Sequence, residues 1–255
     1  MSWLEVNNLT LTFGGLKAVD SLSFSVDRDS IFTIIGPNGA GKSTVFNLIC
    51  RIYNPVQGDI LLGGESLLSD LPHQIVKRGV ARTFQNIELF EHATMLDNLL
   101  IGRHSRGRFQ PLRELFFAGG QLEQELVYRR KAEEVIEFLD LQAHRHSRVS
   151  DLPYGIRKKI EIARALVAGP KLLLLDEPSS GLTNEETADI AFWIEDIKED
   201  LGITVVMIEH DMKLVNKVSD KVLAIAEGRF LALGTAAEVQ DNPDVQHAYL
   251  GTGQT

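Results

Sequence analysis

Two runs of alternating apolar and polar residues open the chain, over residues 3–27 on either side of Gly14-Gly15, and this period of two predicts a β-hairpin. Three later runs are apolar almost throughout: Ile31-Phe32-Thr33-Ile34-Ile35, Leu172–Leu175 leading into Asp176-Glu177, and Ile203–Ile208 leading into Glu209-His210. Apolar side chains on both faces suit strands covered on both sides, as in a parallel sheet. Val80-Ala81-Arg82-Thr83-Phe84-Gln85 predicts another strand, after the Gly79 stop of a short helix. The period changes in mid-chain. Residues 121–141 carry Leu122, Leu126, Val135, Phe138 and Leu139 as an amphipathic helix. Ile156, Ile160, Ala163 and Val167 share a face of a second helix, stopped by Gly169-Pro170. Lys221–Gly234 predicts two strands about Glu227-Gly228, and residues near 236–250 read as helical. Strands interleaved with helices predict an α/β fold. Its core takes residues 1–90 and 169–255 as a single domain, with a helical subdomain inserted at 91–168.

The loop after the first apolar strand carries the most specific chemistry. Gly36-Pro37-Asn38-Gly39-Ala40-Gly41-Lys42-Ser43-Thr44 matches G-x-x-x-x-G-K-[ST], a loop that cradles nucleotide phosphates. Its flanks supply the strand before and a helix from Lys42 to about Arg51. Glycines let backbone N–H groups turn toward phosphate without Cβ clashes, and the helix N-terminus adds positive potential there. Lys42 would reach the β- and γ-phosphates, and the Ser43 hydroxyl would ligate Mg²⁺.

Other strand ends point to the same place, because open parallel sheets bind ligands at their carboxyl ends. Asp176 suits a Mg²⁺ ligand, direct or through water, and Glu177 can polarise an attacking water. His210 sits where strand ends converge on a γ-phosphate. Gln85 ends a strand and is uninformative alone. Phe13, ahead of Gly14-Gly15, offers an aromatic face for adenine.

Taken together, these residues resemble the ATP-binding cassette of a membrane transporter. The order Phe13, loop 36–44, Gln85, a signature at Leu152-Pro153-Tyr154-Gly155-Ile156, Asp176, Glu177 and His210 carries the resemblance over nearly the whole chain. More narrowly, the chain resembles the ATP-binding subunits of branched-chain amino-acid importers. Arg82–Phe90, Asn98–His104, Ile208–Met212 and the tail from Asn242 to Gly251 carry that match, which urea and amide importers share. The resemblance implies a P-loop NTPase (RecA-like) core with an N-terminal antiparallel β subdomain and a helical insertion. It implies that Phe13 stacks on adenine, that Gln85 touches Mg²⁺ and the attacking water, that Glu177 is the general base and that His210 senses the γ-phosphate. Two cassettes would close head to tail, so that Tyr154 and Gly155 of the signature cap ATP held by the partner. Two departures stand out. Pro153 replaces the usual signature serine and supplies neither hydroxyl nor N–H, although proline suits the first turn of a helix. Thr183, after Ser180-Gly181-Leu182, stands where aspartate is common, which puts the cross-dimer contact of this loop in doubt.

Composition narrows the setting. With 44% hydrophobic residues the chain can build a sizeable core, yet no apolar run nears the ~18 residues of a spanning helix. The start, Met1–Glu5, shows no basic or apolar leader, so no secretory signal is expected. Cys50 is the sole cysteine, which excludes an internal disulfide and fits a reducing cytosol. A net charge of −9 opposes general nucleic-acid binding. The stretch 102–117 interleaves Arg103, Arg106, Arg108 and Arg113 with Phe109, Phe116 and Phe117, and reads first as an insertion packed on its own subdomain, then as a membrane-subunit contact and last as a nucleic-acid contact, which the overall acidity opposes. The expected protein binds and hydrolyses ATP with Mg²⁺ and lies peripherally at the cytoplasmic face of the inner membrane. Its expected partners are two transmembrane permease subunits, a second cassette and, indirectly, an extracytoplasmic solute-binding protein. The expected cargo is a branched-chain or other hydrophobic amino acid. Rival readings are urea or amide uptake, lipid export, or a soluble ATPase outside transport.

Overall fold

A computed structural model describes residues 2–83, 87–104 and 120–250. The described chain forms two compact units, Met1–Gln85 with Lys171–Thr255, and Asn86–Pro170.

The first unit holds two sheets. The alternating N-terminal runs become β1 (Ser2–Phe13) and β2 (Leu16–Asp27), an antiparallel pair turning at Gly14. They join β4 (Gln57–Leu62) and β5 (Glu65–Ser66) in the order β2-β1-β4-β5. The apolar runs become β3 (Ile31–Ile35), β7 (Leu172–Asp176) and β8 (Thr204–Ile208), each buried at all five positions. With β6 (Val80–Arg82), β9 (Lys221–Ala226) and β10 (Arg229–Gly234) they form a six-stranded sheet in the order β10-β9-β3-β8-β7-β6. Only β10 runs antiparallel to its neighbour.

Side chains alternate across this sheet with period two. Phe32, Ile34, Leu172, Leu174, Val206 and Ile208 point to one face, where they share a core with Val45 and Phe46 of α1 (Lys42–Ile49) and with Leu4, Leu9 and Leu22 of the antiparallel sheet. Phe24 stacks on Phe32 across this layer, ring centroids 5.5 Å apart. Ile35, Val222 and Ala224 take part in a smaller core on helices of the other face. A short helix, α2 (Pro72–Ile75), precedes β6.

The second unit is helical. It contains α3 (Met95–His104), α4 (Gly120–Phe138) and α5 (Tyr154–Val167), and the apolar spacing of α5 buries Ile160, Ala163 and Val167 as expected. Asn98 is fully buried and ties α3 to the loop before it, its side chain accepting from Phe90 N–H at 2.8 Å and donating to the Phe90 and Thr94 carbonyls. Most of the basic-aromatic stretch 102–117, like Gln85, lies outside the described residues. The chain returns to the first unit through β7, then α6 (Asn184–Glu199), α7 (Met212–Val218), α8 (Ala236–Gln240) and α9 (Pro243–Leu250).

Candidate nucleotide site

Parallel pairing brings three chain reversals to one edge of the sheet. Ile34 and Asp176 each register with Ile208, so the ends of β3, β7 and β8 lie side by side. The loop 36–41 leaves one of them, Glu177 the second, and Glu209-His210 the third.

The loop demands glycine where backbone crowds it. A Cβ on Gly36 would meet the Ile225 carbonyl oxygen at 2.1 Å, and one on Gly41 would meet that of Ala18 at 2.4 Å. Both residues also hold positive φ, 155° and 97°. Gly41 is the N-cap of α1 and supplies no side chain to its first N–H groups. A cavity of about 720 Å³ opens here, lined by Asn38 through Thr44, by Leu16, Lys17, Ala18 and Asp20 of β2, by Glu177, and by Glu227 and Arg229. The β9–β10 turn is pinned onto the loop, since Gly228 N–H donates to the Ala40 carbonyl at 2.9 Å and Asp20 N–H to the Gly228 carbonyl at 2.9 Å. On the rim, Arg229 grips Asp20 Oδ2 through Nε and Nη2 at 2.9 and 2.7 Å, and Lys17 adds a bond to Oδ1 at 3.0 Å. These two cations hold the Asp20 carboxyl below its ordinary pKa.

Lys42 is 9% exposed and folds back on the loop, donating to the Gly36 carbonyl at 2.7 Å and the Pro37 carbonyl at 3.0 Å. Burial pulls its pKa down, and the nearby carboxylates of Glu177 and Asp176 offset part of that pull. Asp176 is buried. Arg82 Nη2 holds its Oδ2 at 2.7 Å, while Oδ1 has no partner among the described residues. Arg82 also donates to Asn47 Oδ1 at 2.6 Å and lies over the Phe46 ring, 5.5 Å from its centroid.

Glu177 stands in the left-handed region at φ 50°, where a residue with a Cβ is uncommon, and its N–H is anchored to the Ile208 carbonyl at 2.9 Å. His210 Nδ1 lies 4.0 Å from Glu177 Oε2 and 3.7 Å from Glu209 Oε2, too far for hydrogen bonds.

Glu209 was not singled out in the sequence, yet it joins two of the reversals. It is fully buried; Oε1 accepts from the Ser179 N–H at 3.0 Å and from the Ser179 hydroxyl, and Oε2 accepts from the N–H groups of His210 and Asp211 at 2.6 and 3.1 Å. A carboxylate wedged between an apolar strand and a histidine was the available signal, because a buried charge needs such donors. Arg82 was likewise overlooked.

The structure therefore brings Gly36, Pro37, Asn38, Gly39, Ala40, Gly41, Lys42, Ser43, Thr44, Asp176, Glu177 and His210 to one edge. Phe13 ends β1, 46% exposed, its ring edge-on to Tyr53 at 5.1 Å, and it is not part of the cavity lining. In the second unit, Tyr154 begins α5 and is exposed, and Gly155 beside it is buried. Pro153 is the N-cap of α5 rather than a residue of its first turn; its carbonyl accepts from Arg157 N–H at 3.1 Å, and no side chain caps the helix. Thr183 serves its own helix. It forms a capping box with Glu186, accepting from Glu186 N–H at 3.3 Å, while Glu186 Oε2 accepts from the Thr183 N–H at 2.9 Å.

A glycine loop at an uncapped helix start, a lysine, hydroxyls and paired carboxylates can hold a nucleotide polyphosphate and activate water beside it. Known proteins agree with that chemistry. The model of the ABC transporter family matches residues 19–180, and a model described as branched-chain amino acid ATP-binding cassette transporter matches residues 231–254. The chain is 40% identical to the high-affinity branched-chain amino acid transport ATP-binding protein BraF of Pseudomonas aeruginosa, covering 97% of both chains. It is 39% identical, again over 97% of both, to the corresponding protein LivG of Escherichia coli. Among solved structures, a nucleotide-free ATP-binding cassette from an ABC transporter superposes with a TM-score of 0.86 at 32% identity, over 98% of this chain and 99% of that one. The chain belongs to the ABC transporter family, as an ATPase subunit among the ATP-binding proteins of branched-chain amino-acid transport.

Proposed function

We propose that this chain powers an importer of branched-chain or other hydrophobic amino acids, with ATP closing a pair of cassettes and hydrolysis reopening them. The observation that carries the proposal is the end-to-end match to BraF and LivG, whose names specify that cargo. The match of the tail to a model of the same branch supports it.

The chemistry follows from the site. On nucleotide binding Lys42 exchanges the Gly36 and Pro37 carbonyls for β- and γ-phosphate oxygens. Glu177, which lines the cavity from a left-handed backbone position, takes a proton from the attacking water. His210 contacts the γ-phosphate, and Glu209 holds the backbone on which both residues depend. Phe13 offers its exposed face to adenine.

No group of three His, Cys, Asp or Glu among the described residues forms a metal cage. Mg²⁺ carried by a nucleotide needs fewer protein ligands, because phosphate and water fill most of its octahedron. Oδ1 of Asp176, buried and without a partner among the described residues, fits one such role, with the Ser43 hydroxyl and Gln85 as the others. When bound, the ion would neutralise charge between the β- and γ-phosphates.

Among the described residues no helix is long and apolar enough to cross a membrane. By likeness to the transport ATP-binding proteins it matches, the proposed importer draws on two transmembrane permease subunits, a second cassette and an extracytoplasmic solute-binding protein, with this chain peripheral at the cytoplasmic face. Tyr154 and Gly155 would cap the partner cassette's ATP through the open start of α5. The test is to tag the chain, extract membranes gently and identify what co-purifies, then reconstitute that complex in vesicles. Two multi-spanning proteins, a second cassette and ATP-dependent leucine uptake are expected. Ribosomes, DNA or no membrane protein would overturn the transporter role, and uptake of urea without leucine would overturn the cargo.

A further inference from the structure

Arg82 lies mostly buried beside the candidate site, and the chemistry above gives it no task. Its side chain is 10% exposed, and that of its partner Asp176 is 3% exposed. The backbone beneath it is fixed, since Arg82 pairs in register with Leu174 of β7. One residue on, the Thr83 N–H donates to the Leu174 carbonyl at 2.9 Å, and the Thr83 hydroxyl accepts from the Asp176 N–H at 3.3 Å. From that anchor the planar guanidinium reaches two elements at once. Nη2 donates to Asp176 Oδ2 at 2.7 Å, and Nη1 donates to Asn47 Oδ1 of α1 at 2.6 Å. Asn47 comes four residues after Ser43, so the two share a face of α1. Arg82 is thus a strut between two of the side chains assigned to Mg²⁺, reaching Asp176 directly and Ser43 through its helix face. It occupies one carboxylate oxygen and leaves Oδ1, which is buried and has no partner among the described residues. A buried carboxylate oxygen without a donor is costly, and a cation or its bound water would relieve that cost.

We propose that Arg82 is a positioning residue for Mg²⁺. It turns the Asp176 carboxylate so that Oδ1 is left for the ion or for a water bound to it. It also fixes the spacing between that oxygen and the helix face of Ser43. The inference rests on the cavity being the site of ATP with its Mg²⁺. Arginine suits the task because its rigid fork offers several donors in one plane, whereas a lysine is a single point charge on a flexible stem. Lysine could keep the ion pair or the Asn47 bond, and not both in this geometry.

Arg82→Lys therefore keeps the charge and loses the fork. The probes are ADP, which is not turned over, and Mn²⁺ in place of Mg²⁺, so that electron paramagnetic resonance reads the bound ion. Residues that orient metal ligands typically govern metal affinity by ten- to a hundredfold, so Mn²⁺ affinity of the ADP-loaded chain should fall by roughly that factor. ADP affinity measured in EDTA should hold to within roughly twofold, because Arg82 acts through the ion. Asn47→Ala cuts only the arm to α1 and should lower Mn²⁺ affinity in the same sense, by roughly two- to tenfold. It decides the question by itself where Arg82→Lys fails to fold. An equal loss of ADP affinity in EDTA would mean that Arg82 merely holds the loop, and would overturn the proposal. Unchanged Mn²⁺ affinity in the folded variants would overturn it as well. A wild-type chain that binds no ADP would overturn the reading of the cavity, and the proposal with it.

Discussion

Helix starts in this molecule are of two kinds. Thr183, Asp211 and Thr235 each turn a side-chain oxygen back onto the first N–H groups of α6, α7 and α8. Gly41 at α1 and Pro153 at α5 give no side-chain bond to theirs. The first turn of any helix leaves donors without partners inside the helix, and a cap satisfies some of them. A helix that forgoes its cap keeps those donors, and the positive end of its dipole, for something else. These two open starts lie in segments proposed to meet phosphate, one in the loop and one in the signature; the four-residue α2, whose N-cap Leu71 also gives no side-chain bond, does not. The sealed starts spend those donors on their own cap side chains. Thr183 makes the contrast sharp: against the family pattern it reads as a lost aspartate, and in the structure it is half of a capping box.

The largest effect should come from separating the binding of phosphate at an open start from the chemistry beside it. Glu177→Gln keeps the loop, Lys42 and the start of α1, and removes only the proposed base. Turnover in the assembled transporter should fall by about 10²- to 10⁴-fold while ATP affinity holds. Loss of affinity along with turnover would mean that the open start does not bind phosphate by itself. Lys42→Ala reverses the split. Removing charge-assisted bonds predicts ATP affinity lower by roughly ten- to a hundredfold, read by calorimetry on the isolated chain.

Such contrasts were readable in the sequence only where the signal is local. The loop 36–44, the fully apolar strands and the hairpin turns depend on neighbours within a few residues, and each appears where its pattern predicts. The capping box Thr183-x-x-Glu186 was equally local, and it was missed because Thr183 was weighed only against a family pattern. Other contacts had no local signal. Arg82 meets Asp176 from 94 residues away, and Glu209 meets Ser179 from 30, because parallel strands set distant residues side by side. An arginine in a short strand reads as an ordinary solvated charge until the sheet order is known, and a glutamate between an apolar strand and a histidine signals burial without naming its partner.

Pro153→Ser asks what an open start at the signature is for. The substitution adds a hydroxyl at the N-cap of α5. If that hydroxyl serves the partner's γ-phosphate, one charge-assisted bond of about 1.5–3 kcal/mol becomes available. The site closed by this chain's signature should then turn over faster, which single-site kinetics in a dimer with one site disabled by Glu177→Gln would resolve. Unchanged turnover would show that Gly155 and the bare helix start suffice with proline present.

Thr183→Ala is the smallest change and the cleanest control. It removes the oxygen that receives Glu186 N–H and leaves the Glu186 carboxylate to the Thr183 N–H alone. Thr183 also holds the Glu186 carboxyl below its ordinary pKa, through its N–H first and its hydroxyl second. Part of this stabilisation is therefore present above the unfolded pKa of a glutamate and fades as pH falls through the lower folded value. The cap as a whole should contribute about 0.5–2 kcal/mol, seen as a lower urea midpoint near pH 7 with an unchanged slope. The gap between variant and wild type should narrow in acid, where Glu186 is protonated in both. ATP affinity of the isolated chain should not move, because the start of α6 spends its donors internally. A change in affinity with no change in midpoint would mean that Thr183 acts on the nucleotide site after all, and the division between sealed and open helix starts would fail.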